Sequence, residues 1–243
     1  MNRILSKAIE AYVANMQLIS LFSIPFIIAI PLALLLPNYT ALSGIFLRLG
    51  SLGSDVSLVE TLVMILVLLV SLLLFSFALV AVNSVIKAQR SFNKLKHADF
   101  ERMEEATFKL FAVLLIAFLA MFAFNLFLYQ SSGFGEMKRV LVTALFSAAV
   151  SLIVLFAPQA IVLDNASVEH AFTLSLGLSA KRPAMVAGFV LFAAFLIVAS
   201  TYLFSALPFA FAPLLGIAIN SLVFVPFLEV VKVQIYLSKY HLL

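Results

Sequence analysis

A chain of 243 residues that is 65% hydrophobic and only 11% charged, with a mean hydropathy of +1.20, lies far from the roughly 25% charged and 45–50% apolar make-up of soluble domains. That composition excludes an ordinary soluble domain and identifies a polytopic membrane protein. The lack of cysteine excludes disulfides, thiolate metal sites and cysteine nucleophiles, and in this setting the net charge of +4 belongs to membrane-flanking loops rather than to a nucleic-acid surface.

A bilayer core of about 30 Å takes roughly 20 apolar helical residues, and six segments qualify: 18–36, 62–82, 110–129, 140–163, 185–204 and 209–233. The predicted fold is therefore all-α, a polytopic bundle of six transmembrane helices forming one domain over 1–243. Glu10 and Asn15 interrupt the first apolar run and no small-residue cleavage site precedes Pro37, so the first span is expected to stay as an anchor. Of the 15 Lys and Arg, only Arg48, Lys138 and Arg139 fall on the side opposite the termini. The positive-inside rule then places both termini in the cytoplasm of a cell-membrane protein.

Before the first, third and fifth spans the chain carries an amphipathic stretch on the inner side. In the first, Ile4, Leu5, Ala8, Ile9, Tyr12, Val13 and Met16 recur at helical spacing; the second runs from Phe92 to Ala106 and the third from Val168 to Leu176. Each is expected to be a short helix lying in the headgroup region. The pattern suggests a threefold helix-pair repeat, 1–83, 84–163 and 164–243. It is compositional, with "IEAYV", "EEATF" and "VEHAF" as the best local match.

The segment "PQAIVLDNASVEHAFTLSLGLSAKRP", residues 158–183, concentrates charge between the fourth and fifth spans. As structure, Pro158 kinks the fourth span, Asp164 and Asn165 mark its exit, and Ser167 is an N-cap. Glu169 then lies in a first turn and Lys181 and Arg182 in a last, where the helix dipole favours those signs, and Pro183 opens the next helix. The functional alternative groups Asp164, Glu169 and His170 as metal ligands or acid–base groups. Neighbouring helical positions point to different faces, however, and no second His motif accompanies them.

The stretch "PQAIVLDNASVEHAFTLSLGLSAKRPAMVAGFVLF", with the terminal "PFLEVVKVQIYLSKY", resembles the six-span membrane-domain superfamily of YciC-type inner-membrane proteins, also joined to some glycerophosphodiester phosphodiesterases. The resemblance covers roughly residues 150–243. It implies an integral membrane module, attached in some relatives to a lipid-headgroup hydrolase. This chain has no room for the hydrolase domain, so that activity is not carried over.

Within the spans, Asn220, Asn125 and Gln159 are the candidate polar membrane site. Asn220 lies between the Pro213–Gly216 break and Pro226, where freed carbonyls need donors. Pro25 and Pro31 in the first span and Pro213 to Pro226 in the last would give two broken helices around a central site, as in transporters. Glu229 and Lys232, counted about 20 residues into the last span, are expected at the inner interface. With Asp164, Glu169 and His170 they form a candidate inner-face site. Ala144 with Ala148 and Ala184 with Gly188 would permit close helix approach within the bundle or between subunits. The 25 phenylalanines with no tryptophan make a lipid groove lined by aromatic rings physically reasonable. Of the two N-x-[ST] sequons, Asn38 falls outside and Asn165 inside.

No phosphate-binding loop, serine elbow, H-E-x-x-H or dinucleotide fingerprint occurs, and no cofactor or metal is implied. The expected function is a non-catalytic membrane module binding membrane lipids, a membrane protein partner or a second copy of itself. The alternative is a small-solute transporter, channel or transporter subunit.

Overall fold

The computed structural model describes residues 2–35, 58–90, 97–130, 135–209 and 211–240. These residues are helical with no strand among them, as a lipid environment requires of backbone that must satisfy its own hydrogen bonds. The helices are α1 (Asn2–Ala14), α2 (Met16–Phe22), α3 (Ile24–Leu35), α4 (Leu58–Arg90), α5 (His97–Gln130), α6 (Glu136–Val154), α7 (Ala157–Asp164), α8 (Val168–Lys181), α9 (Pro183–Ser205), α10 (Ala212–Ile219) and α11 (Val225–Leu237). A π-helical segment, Asn220–Phe224, joins α10 to α11, and a 3₁₀ turn, Ser238–Tyr240, follows. Among the described residues five stretches are long and apolar enough to cross a membrane, and Arg3–Ala14 with Met16–Ala29, bent by 80° at Asn15, make a sixth if the pair is one span.

The three inner amphipathic stretches take three different forms. The first is α1, which turns sharply away from the first span and lays Ala8 and Tyr12 against α11 while Ile9, Val13 and Met16 stay exposed. The second is not a separate helix: from His97 onward it is the beginning of α5, which runs unbroken for 34 residues, about 51 Å at 1.5 Å per residue. No proline or glycine interrupts "HADFERMEEATFKLF", so nothing ends the helix at the interface; residues 92–96 lie outside the described residues. The third is α8, ended at Arg182 by the proline that opens α9.

The expected breaks are partly relocated. Pro25 sits just after a break at Ser23, whose hydroxyl donates to the Ile19 carbonyl at 2.6 Å, but the helix runs on through Pro31. The fourth span breaks at Leu155–Phe156, immediately before Pro158, because proline cannot donate and its ring collides with the carbonyl four residues back. The Phe156 amide is caught by the Ser175 hydroxyl of α8 at 2.9 Å.

The core is concentrated in the half of the bundle nearer the termini. It is built from Ala78–Val82, Val85 and Ile86 of α4, Phe156–Val162 of α7 and Leu228–Leu237 of α11, with α1 and α8 packed over it. Towards the opposite face the helices present Leu191, Phe195, Val198 and Tyr202 outward, which suits contact with lipid. Ala144, Ala148 and Ala184 are also exposed. Their small faces therefore do not serve packing within this bundle.

Candidate functional site

Three helices meet at a buried polar cluster. Gln159 of α7 donates from Nε2 to both Asn83 Oδ1 of α4 at 3.1 Å and Glu229 Oε2 of α11 at 2.9 Å. Asn83 Nδ2 donates to the same Glu229 oxygen at 3.3 Å and to the Leu79 carbonyl at 2.7 Å. Lys232, one turn on from Glu229, is ion-paired with Glu229 Oε1 and also donates to the Leu155 carbonyl at 3.3 Å, a carbonyl freed by the break before Pro158. Asn83 and Gln159 are 0% exposed and Glu229 is 4% exposed. The Glu229 carboxylate thus receives two carboxamide donors and one ammonium, which is how a buried charge is made tolerable. Gln159 Oε1 is buried with no partner.

Glu229, expected with Lys232 at the inner interface, is thus packed inside the bundle with Lys232 paired to it. The last span continues as helix to Leu237 and then through the 3₁₀ turn, so Glu229 stops ten residues short of Lys239, about 15 Å inside the end. Asn83 was not singled out in the sequence, because an asparagine near a span's end reads as ordinary; its partner 146 residues away supplies no local signal.

A second polar group marks the true end of the bundle. Asp164 Oδ2 accepts from Tyr236 Oη and from Lys239 Nζ, each at 2.6 Å, and the lysine also stands 3.6 Å from the centre of the Tyr236 ring. Arg182 bonds the Ser238 hydroxyl and, at 3.1 Å, its carbonyl, while Lys87 donates to the Val162 carbonyl near the end of α7. Cations thus collect at carbonyl ends, where the helix dipole favours them. Asn165 closes α7 in the left-handed conformation, φ 54°, which asparagine tolerates better than most side chains.

Asp164, Glu169 and His170 do not form one site. Asp164 is engaged by α11 and the turn after it, whereas Glu169 and His170 are exposed on the first turn of α8. His170 contacts Thr173 of its own helix, and its amide donates to the Ser167 cap at 3.3 Å. Among the described residues no three His, Asp or Glu side chains gather as metal ligands would.

The other two membrane candidates have local roles. Asn125 donates to Met121 O at 2.9 Å and accepts from the Thr143 hydroxyl at 3.0 Å, tying α5 to α6. Asn220 opens the π segment with its Oδ1 buried and unpartnered. The cause of that segment is Pro226, which cannot donate to the carbonyl of Leu222; widening the helix relieves the collision. The Leu222 carbonyl instead accepts from Tyr12 Oη of α1 at 3.4 Å, and the Tyr12 ring meets Phe227 edge-on, 5.6 Å between centroids.

Beside this framework α4 and the first turns of α5 enclose an open groove of about 410 Å³, lined by Leu73, Leu74, Phe77, Phe100, Met103, Glu104, Thr107 and Phe108. Its size lies within the range of about 300–1,000 Å³ typical of ligand pockets. Phe100 and Phe108 are half-exposed, at 48% and 56%. Thr107 spends its hydroxyl on Met103 O at 2.7 Å, so Glu104 is the one polar side chain the groove offers outward.

No family model, curated protein or solved structure matches this chain.

Proposed function

We propose that the protein is a non-catalytic, multi-pass membrane module that binds lipid. The observation that carries this reading is the groove between α4 and α5. It is apolar, open to one side, partly walled by three phenylalanines, and its volume of about 410 Å³ could take part of a hydrocarbon chain. A flexible chain fits such a surface because contact with ring faces and aliphatic side chains is non-directional. The excess of Lys and Arg on the termini's side supports a cytoplasmic placement of both ends in a cell membrane. The resemblance to the YciC-type superfamily is kept as part of the proposal.

The test is native mass spectrometry of the protein extracted from its own membranes in mild detergent. Retained lipid of defined mass is expected, and its loss in Leu74→Trp, which fills the groove, locates it. A chain that carries no lipid, or one whose lipid is indifferent to Leu74→Trp, overturns the reading.

A second reading, small-solute transport, is favoured by one observation: Asn220 Oδ1 and Gln159 Oε1 are buried acceptors without partners inside the spans. Intramembrane polar groups of this kind commonly mark pathways. Flux into liposomes that falls in Asn220→Leu would favour it over lipid binding.

A further inference from the structure

α9 and α10 are joined by a short connection, residues 206–211, and pack side by side as an antiparallel pair. Gly216 fixes their register: a Cβ placed on it would stand 2.9 Å from Phe204 Cβ, so these two positions face each other. One turn further from the connection, on the same two faces, stand Ser200 and Asn220, four residues from Phe204 and Gly216 respectively. The pairing runs on to this level, since α9 also touches the π segment that Asn220 opens.

Both side chains hold a buried polar atom that the protein leaves unsatisfied. Ser200 is 5% exposed, and among the described residues neither its Oγ nor Asn220 Oδ1 has a hydrogen-bond partner. A helical hydroxyl has the carbonyl four residues back within reach, and the neighbouring hydroxyls use it: Thr201 donates to the Ile197 carbonyl at 2.8 Å and Ser221 to the Ile217 carbonyl at 2.7 Å. Ser200 makes no such bond to Leu196, nor does it bond Asn220 directly. One group placed between the two would satisfy both.

The chemistry of that group follows from what it meets. Ser200 offers a donor and Asn220 Oδ1 an acceptor, so the group must accept and donate at once, as a hydroxyl does. No charged residue occurs from Pro183 to Leu228, nor in α3, which packs against both α10 and the π segment. A charged ligand would be buried here without a counter-charge, at a cost that a neutral one avoids.

We propose that Ser200 and Asn220 together bind a small uncharged molecule through a hydroxyl group: an alcohol or polyol or, as the smallest case, water. The Ser200 hydroxyl donates to the ligand oxygen, and the ligand O–H donates to Asn220 Oδ1. The site goes beyond the lipid-binding reading, since no residue of the groove takes part, and it holds whether or not the ligand crosses the membrane.

The experiment is a double-mutant cycle on the full chain, read as Tm by circular dichroism in a phosphocholine detergent, whose headgroup carries no hydroxyl. A bridged hydroxyl predicts that Ser200→Ala lowers Tm by about 2–4 °C, the worth of one hydrogen bond. It also predicts that the double variant melts no lower than Asn220→Leu alone, because either change breaks the same bridge. An unbridged hydroxyl predicts the opposite sign for Ser200→Ala, since removing a buried group with no partner leaves Tm unchanged or raises it. Thr201→Val, which removes a hydroxyl held by its own helix, should add independently to Asn220→Leu. Glycerol is the ligand probe: beyond the general stabilisation that polyols give a folded chain, it should raise the Tm of the wild type further than that of the double variant. An equal rise in the two, with the coupling intact, assigns the site to water alone. A Ser200→Ala Tm no lower than that of the wild type, additive losses in Ser200→Ala and Asn220→Leu, or the same coupling for Thr201→Val overturns the site.

Discussion

Glu229 owes its place in the bundle to partners from three helices, and single substitutions there should be strongly unequal. Lys232→Met leaves a carboxylate that is 4% exposed without its counter-charge. Breaking a buried pair in this way costs about 3–5 kcal/mol, which circular dichroism during thermal unfolding in detergent would register as a large loss of Tm. Glu229→Leu combined with Lys232→Met removes both charges and should cost less than Lys232→Met alone, because no uncompensated charge remains. A double variant less stable than the single would refute the buried ion pair. Gly216 provides a different residue-scale test. A Cβ built there lies 2.9 Å from Phe204 Cβ, an atom fixed to the backbone of α9. Gly216→Ala should therefore cost about 1–3 kcal/mol from overpacking, and an unchanged melting curve would mean that α9 and α10 are not held this closely.

At the scale of elements the breaks carry the argument. The interruption before Pro158 exposes the Phe156 amide and the Leu155 carbonyl, and each is taken up by another helix, Ser175 of α8 and Lys232 of α11. Ser175→Ala should strand a buried donor and cost about 1–3 kcal/mol, more than the same change at exposed Ser179; equal effects would show that the amide has another partner. Much of this was legible in the sequence. Ser167, Glu169, Lys181 and Pro183 mark the ends of α8 because caps, dipoles and proline act locally, within one turn. The apolar spans were legible for the same reason: hydrophobic length is a property of one segment. What could not be read was the meeting of Asn83, Gln159 and Glu229, since it depends on which faces of three helices turn inward. Nor could the burial of Glu229 be read, since only partners distant in the chain make a buried carboxylate tolerable. The π segment shows both sides. Pro226 announces a defect, but Tyr12, more than 200 residues earlier, decides how the freed carbonyl is satisfied.

For the whole molecule, the number of crossings depends on the first helices. Five stretches cross on length and composition alone, and the sixth crossing requires that α2 and α3 traverse the bilayer after the 80° bend at Asn15 while α1 stays on the surface. The bend has a physical basis: α1 buries Ala8 and Tyr12 against α11 yet keeps Arg3, Ser6 and Glu10 exposed, a face that belongs in the headgroup layer. With six crossings the start of α1 and the exposed turn of α8 lie on one side of the membrane, and the openings of α6 and α10 on the other. The chain has no cysteine, so single introduced thiols report position without background. In intact cells an impermeant maleimide should label Gly135→Cys and Ala206→Cys, at exposed positions where these two openings emerge. Ser6→Cys and Glu169→Cys should react only after permeabilisation. The reverse pattern would keep the fold and invert the charge-based orientation. Labelling of Ser6→Cys together with Gly135→Cys, with Glu169→Cys protected, would mean that the bent segment does not cross and that the bundle has five spans, placing α1 on the opposite surface from α8. That outcome would contradict the contact of Tyr12 with the Leu222 carbonyl and with Phe227, because α1 can rest on the last span at that depth only if both approach the same face of the membrane.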